Sequence, residues 1–594
     1  MMADDISFRE KLKAFYLIAT FRPKLTVGIV VFGVSTAVFS GIGVTFIVPL
    51  VEVARSSGAP PEDGLVGTFV TAYDLLGVPF TLGTIVVGLT VVLAIQNLAA
   101  FLTEWARAYL RITYVRDLQS RSFTTALDAR IAYFDTEGSD DILNAIVTQA
   151  THAGEGIQAF AIVFQSALLI LVYLAVAFAL APVLTTVSLA LLGVLTFVLR
   201  NSVESGYAIG DRVAEANERI QQTAQAGTQG IREVRMLGYD DTLLEQFRDG
   251  LSQYVDSSVR VKRNEALIGN GYNFLVAVLI FALIYVAIRF TNMSLGALGA
   301  FLFAMFKLGP VASNANSRYY QLEGMLPHLV RTEEFIDTLE DNRDIEGGET
   351  SAPSDPSPIL FDDVTFSYDG SEAVLSDVSF RVDGGDFVAL VGKSGAGKST
   401  IVSLIARLYV PDSGTITAAW TPIEEYDVDE WRSRIAFVRQ DPFIFNASLA
   451  ENLRMANPDA TRREMERVCE IAQVTEFLDD LPDGFETQLG DDGVRLSGGQ
   501  RQRVALARGL LEDAAILLLD EATSDLDTHI EKRVQRNIES MDRDFTIVAI
   551  AHRLSTVTEA DRILTLENGE IIERGEHDTL LEEGGKYAEL YSAQ

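Results

Sequence analysis

The chain has 594 residues, 82 Asp plus Glu against 48 Lys plus Arg, a net charge of −34, and yet a hydrophobic content of 48%. A uniformly acidic soluble chain is not this apolar, so the composition calls for two unlike parts, and nucleic acid is excluded as a partner because a phosphate backbone needs a basic surface. One cysteine, Cys469, excludes an intrachain disulfide framework and reads as a buried, inert thiol.

The charge divides unevenly: residues 1–340 carry 24 basic and 31 acidic side chains, residues 341–594 carry 24 and 51. At the N-terminus, Phe8, Leu12, Phe15 and Tyr16 among basic residues suggest a short amphipathic helix on the inner membrane surface. Six segments then have the roughly 20 apolar residues that a membrane helix needs. They lie near Leu25–Val51, Leu82–Phe101, Ile157–Leu180, Leu184–Leu199, Tyr272–Ile288 and Leu295–Val311. Between the first two, Val66, Phe69, Val70, Tyr73 and Leu76 recur at helical spacing, which fits a small outer helix or simple loop packing. Only Ala181-Pro182 separates the third and fourth spans, so these form an antiparallel hairpin. The stretches from Arg107 to Gly156 and from Arg200 to Gly271 are too polar for lipid and read as membrane helices continuing into water. They also hold most of the loop arginines, so both termini and both long loops are expected on the cytoplasmic side of a multi-pass protein. Lys307 lies within the sixth span and Arg318 on its continuation, and they suit either an anionic lipid headgroup or a structural pair or snorkelling cation.

Residues 341–358 are rich in Gly, Ser and Pro and read as a flexible linker. Beyond them, strand-like and helix-like runs alternate, as in an α/β domain with a parallel sheet. The run Gly392-Lys393-Ser394-Gly395-Ala396-Gly397-Lys398-Ser399 follows a strand and opens a helix. Its glycines let successive N–H groups face phosphates, Lys398 is placed for the β- and γ-phosphates, and Ser399 for Mg²⁺. The apolar strand Ala515–Leu519 ends in Asp520-Glu521, where Asp520 can reach the metal beside the loop of a neighbouring strand and Glu521 the attacking water. His552 ends a third strand at the same sheet edge.

Together, Gly392 to Ser399, Gln440, the run Leu496-Ser497-Gly498-Gly499-Gln500, Asp520-Glu521, Asp527 and His552 resemble the ATP-binding cassette (ABC) transporters of the exporter type. The resemblance implies a multidomain fold: a six-helix transmembrane domain (1–340), the linker (341–358), and an α/β P-loop ATPase domain with a helical subdomain (359–594). It also implies ATP and Mg²⁺ as cofactors. By resemblance Tyr368 stacks on adenine, residues 392–399 and Thr400 hold the phosphates, and Ser399, Gln440 and Asp520 attend the metal. Glu521, His552 and Gln440 are the catalytic group. Ser497, Gly498, Gly499 and Gln500 meet the ATP held by the opposite cassette, and Asp527 lines the contact between cassettes. Asp525 departs from the alanine frequent in the family. Asp491-Asp492-Gly493 resembles the acidic stretch before the signature.

Because the signature acts in trans, a dimer is required, and the intact catalytic set favours two identical chains. The expected activity is ATP-driven export or flipping of an amphipathic substrate, a lipid or lipid-linked saccharide, across the cytoplasmic membrane. Membrane lipids are expected neighbours. A multidrug or peptide exporter is the alternative, and an ATP-gated channel or regulatory subunit is disfavoured by Glu521 and His552. Short helices near Phe134–Asp141 and Gly230–Tyr239 would couple the parts. With 9 lysines beside 39 arginines, the acidic surface suits a high-salt cytoplasm.

Overall fold

The computed structural model describes residues 21–55, 64–136, 142–290, 295–344, 347–368, 372–490, 493–541, 545–551, 553 and 557–593. The N-terminal amphipathic helix, Asp491, Asp492 and His552 therefore lie outside the described residues. Two compact units emerge: residues 1–129 with 137–342, and residues 130–136 with 343–594.

The first unit is helical. Helix α1 (Pro23–Thr45) runs almost directly into α2 (Ile47–Arg55), and α3 (Gly64–Leu75) follows. Next come α4 (Leu82–Leu127), α6 (Ala150–Leu180), α7 (Pro182–Asn201), α8 (Gly206–Gln229), α9 (Ile231–Leu237), α10 (Asp240–Phe290) and α11 (Leu295–Asp341). The short α5 (Ile131–Thr136) falls in the second unit. Six stretches among the described residues are long and apolar enough to cross a membrane, and each contains or closely overlaps one expected span.

Local chemistry sets the boundaries. Thr81 and Thr84 form a reciprocal capping box that starts α4. Pro182 occupies the first turn of α7, where its missing N–H costs nothing and its fixed φ suits the helix, so the α6–α7 turn needs only Ala181. At 51 residues α10 is on the order of 76 Å long, far more than a bilayer requires, which accounts for its polar half. The outer segment does form a helix, and it rests on the spans. The rings of Phe69 and Phe46 meet edge to face at 4.7 Å, and Tyr73 donates to the Thr84 carbonyl at 3.1 Å.

One contact inside this unit is unusually close. A Cβ added at Gly210 on α8 would lie 2.2 Å from the Gly324 carbonyl oxygen on α11, and one at Gly206 would lie 2.6 Å from that of Tyr320. Backbone meets backbone there. Arg331 of α11 fastens the same pair of helices through Asp211 at 2.9 Å and Glu218 at 3.3 Å.

The second unit holds two sheets. The antiparallel one has the order β2 (Leu375–Val382), β1 (Ile359–Phe366), β4 (Ser413–Ala418), β5 (Thr421–Pro422). The larger has the order β10 (Glu570–Gly575), β9 (Arg562–Glu567), β3 (Phe387–Gly392), β8 (Thr546–Ile550), β7 (Ile516–Asp520), β6 (Ile435–Val438), parallel except at β10. Its central strands are apolar on both faces because helices cover both, among them α12 (Lys398–Ile405). Three further helices, α13 (Leu449–Arg454), α14 (Arg462–Ile471) and α15 (Gly498–Leu511), pack Leu453, Met465 and Val504 into one core with Ala436 and Val438 of β6 and Leu517 of β7. Cys469 lies in that core, and burial pushes its thiol up to about 12, so it stays a thiol as expected.

The segment read as flexible from its glycines is seated on this unit. Thr350 bridges Tyr426, Ala352 donates to Glu430 at 3.1 Å, and Asp344 pairs with Arg432 at 2.7 Å. A Cβ at Gly348 would fall 1.8 Å from the Glu425 carbonyl oxygen, so this glycine serves close approach and not freedom.

Candidate functional site

Strand β3 delivers the loop 392–397 to the start of α12. Gly397 adopts φ +95 and a Cβ there would strike Leu375 at 2.5 Å, while Gly395 adopts φ +79, so the loop conformation depends on these two glycines. Lys398 curls back beneath the loop and donates to the carbonyls of Gly392 and Lys393, both at 2.9 Å. Burial lowers its pKa below the usual lysine value, with Glu521 and then Asp520 opposing the shift. A buried cation under a glycine-rich turn that opens a helix is a receptacle for a polyanion.

Across the sheet, register aligns Leu390, Ile550 and Asp520 on β3, β8 and β7. The sequence reading put Asp520 beside the loop of a neighbouring strand. Strand β8 in fact intervenes, and the start of α12 spans the gap, bringing Ser399 Oγ to 3.1 Å from Asp520 Oδ1. Burial raises the Asp520 pKa, and the bond from Ser399 is the first effect opposing it. A hydroxyl beside a carboxylate, at the mouth of a phosphate-type loop, is a donor set that fits Mg²⁺.

Glu521 has φ +47, a left-handed conformation uncommon for a non-glycine residue and costly to hold. Its Oε2 accepts from Gln440 Nε2 at 2.8 Å, two residues beyond the end of β6. The structure thus brings Lys398, Ser399, Gln440, Asp520 and Glu521 to one edge of one sheet. Tyr368, 46% exposed, donates to or accepts from Thr400 Oγ1 at 3.0 Å and packs edge to face with Tyr409 at 5.1 Å. Tyr409 is itself bonded to Asp135 of α5, and burial, then Asp135, raises its pKa.

The signature run starts α15. Ser497 and Gln500 cap the helix reciprocally, Ser497 N donating to Gln500 Oε1 at 2.8 Å. Among the described residues no hydrogen bond joins Ser497, Gly499 or Asp527 to residues 392–400 of the same chain. Asp527 is the exposed N-cap residue of α16 (Thr528–Glu539). Asp525, the departure noted above, packs against Gly498, where a Cβ would meet its Oδ2 at 2.4 Å. A negative charge at a helix N-terminus is favourable, which rationalises an acid there.

Gln502 was missed by sequence reasoning. It is 1% exposed and donates to the Gln440 carbonyl at 3.0 Å and to Ser524 Oγ at 3.2 Å, while its Oε1 accepts from Asp525 N at 3.1 Å. One amide therefore ties the segment bearing Gln440 to the segment after Glu521. Lys307 and Arg318 fall apart: Lys307 is exposed, 5.6 Å from the Phe303 ring centre, and Arg318 donates to Gln321 at 2.7 Å.

Residues 375–524 match the family model described as ABC transporter, and residues 25–308 the one described as ABC transporter transmembrane region. The ATP-dependent lipid A-core flippase of Shewanella frigidimarina is 31% identical over 510 residues, covering 84% of this chain and 84% of that protein. The flippase of the same name from Chromohalobacter salexigens is 31% identical over 509 residues, 84% of this chain and 87% of that protein. The heterocyst differentiation ATP-binding protein HepA of Nostoc sp. is 28% identical over 576 residues, 96% and 94% of the two chains. The fold also matches a solved bacterial Atm1-family ABC exporter with ATP bound, at a TM-score of 0.78 and 23% identity, over 96% of this chain and 99% of that one.

Proposed function

Because this chain belongs to the ABC transporter family and couples ATP hydrolysis to movement of a substrate across a membrane, we propose that it is a homodimeric flippase or exporter of an amphipathic lipid or lipid-linked saccharide. The observation carrying the lipid reading is that relatives 31% identical over 84% of the chain are lipid A-core flippases. Both termini and the second unit face the cytoplasm in this reading, which the loop arginines support.

The chain's own residues divide the work. Lys398 and the loop N–H groups bind the phosphates, and Tyr368 supports the base. Mg²⁺, when bound, offsets phosphate charge, and Ser399, Asp520 and Gln440 are the residues that would hold it. Glu521 accepts the proton of the attacking water, and Gln440, bonded to it at 2.8 Å, sets its orientation. Ser497, Gly499 and Asp527, unengaged with their own loop, are left for the ATP of the partner subunit. His552, by resemblance, completes the γ-phosphate contact. ATP bound between two chains favours the joined state, and its hydrolysis releases them.

Reconstituted proteoliposomes carrying a fluorescent phospholipid test this reading. ATP-dependent loss of label from one leaflet is expected, absent with Glu521→Gln. ATP hydrolysis without lipid movement, alongside transport of a soluble drug, would replace it with the drug-exporter reading.

A further inference from the structure

Between α6, α7, α10 and α11 lies a cavity of about 460 Å³, within the range of ligand pockets. Its body is apolar, with Leu174, Leu189 and Leu308 among its walls. Its polar groups collect toward the far end of α7 from the α6–α7 turn, with Arg200 in the last turn of that helix. From Leu189 to Arg200 the slot wall is on the order of 16 Å long. That is the profile of an amphiphile with its polar end at one membrane surface and its tail toward the bilayer centre.

The polar end is prearranged. The Arg200 guanidinium stacks 4.2 Å from the Tyr319 ring centre, and one edge is held 2.9 Å from Glu323. The Glu323 side chain is 12% exposed and that of Arg200 42%, so the carboxylate fixes the arginine from the buried side and leaves N–H groups for a ligand. Asn316 Nδ2, in the same lining, is buried and has no hydrogen-bond partner, an arrangement that costs free energy unless a ligand accepts from it. The guanidinium and the amide are donors, and no carboxylate is among the described lining residues, which suits a phosphate. Leu189 on the wall is 51% exposed, which gives the slot an open side among apolar residues.

We infer that this slot holds one acyl chain of a membrane phospholipid whose phosphate bonds Arg200 and Asn316. With the orientation proposed above, the lipid belongs to the cytoplasmic leaflet. Gly193 lines the slot and a Cβ added there meets nothing within 4 Å, so a larger side chain enters open space without breaking the Arg200–Glu323 pair.

The test uses the full chain in detergent with a phosphatidylglycerol bearing a diazirine at the end of one acyl chain. Photolabelling and peptide mapping should place the adduct within 163–174, 189–200 or 308–319. Both Arg200→Ala and Gly193→Leu should lower labelling about tenfold or more, the loss expected for one charge-assisted contact or a filled slot. Monodispersity and thermal unfolding check that each variant folds, and Gly193→Leu decides the matter should Arg200→Ala not fold. Undiminished labelling in folded Gly193→Leu, adducts confined to other segments, or slot residues crosslinking to a second copy would each overturn the assignment. Labelling of the slot in a chain that moves no lipid removes the transport reading and keeps this one. Lipid movement without slot labelling does the reverse.

Discussion

Glu521 combines a left-handed backbone with a carboxylate held by Gln440, and both constraints aim one oxygen at a fixed point. Glu521→Gln should retain ATP affinity within a few-fold while turnover falls about 10²- to 10⁴-fold, the usual yield of a positioned general base; ATPase assays paired with nucleotide-binding titrations check it. Lys398 gives a second prediction. Its pKa is lowered by burial, so in the free protein its charge is lost at a lower pH than an ordinary lysine's. Phosphates favour the charged form, so ATP affinity should weaken as pH rises through that lowered value; titrations between neutral and alkaline pH would show the decline setting in below the usual lysine range. Most of these residues were legible because their chemistry is written in contiguous runs, a loop of glycines or a strand ending in two acids. Gln502 was not, because its partners come from segments up to 62 residues away and its meaning exists only once those segments meet.

At the scale of elements, the spans were legible from apolar length alone, and the α6–α7 hairpin from one proline. The contacts of the linker were not legible because glycine serves both freedom and close approach, and sequence does not say which; Gly348 against Glu425 is the second. Helix α9 raises a functional point. It is two turns long, yet Met236 is 86% and Leu237 80% exposed, an apolar tip beyond what solubility favours. By resemblance it lies in a coupling loop. Leu237→Asp should leave basal ATP hydrolysis within about twofold, as surface changes do, but abolish its stimulation by transported lipid. Measuring hydrolysis with and without lipid separates these outcomes, and unchanged stimulation would remove α9 from the coupling path.

For the whole molecule, the net charge of −34 is carried mainly by residues 341–594, with 51 acidic against 24 basic side chains. Two copies joined through this half bring like charges together, and the distance over which they repel is about 3 Å at 1 M salt and about 10 Å at 0.1 M. Lowering salt across that range should therefore weaken ATP-driven association of the Glu521→Gln protein, read by sedimentation in detergent, and an association indifferent to salt would refute the high-salt reading. The seam at Gly206, Gly210 and Gly324 sets how near two helices of such a molecule can lie. With no side chain between the backbones, α8 and α11 meet at a separation that no residue larger than glycine at 206 or 210 allows, so even one added methyl group at Gly210 must wedge the two helices apart.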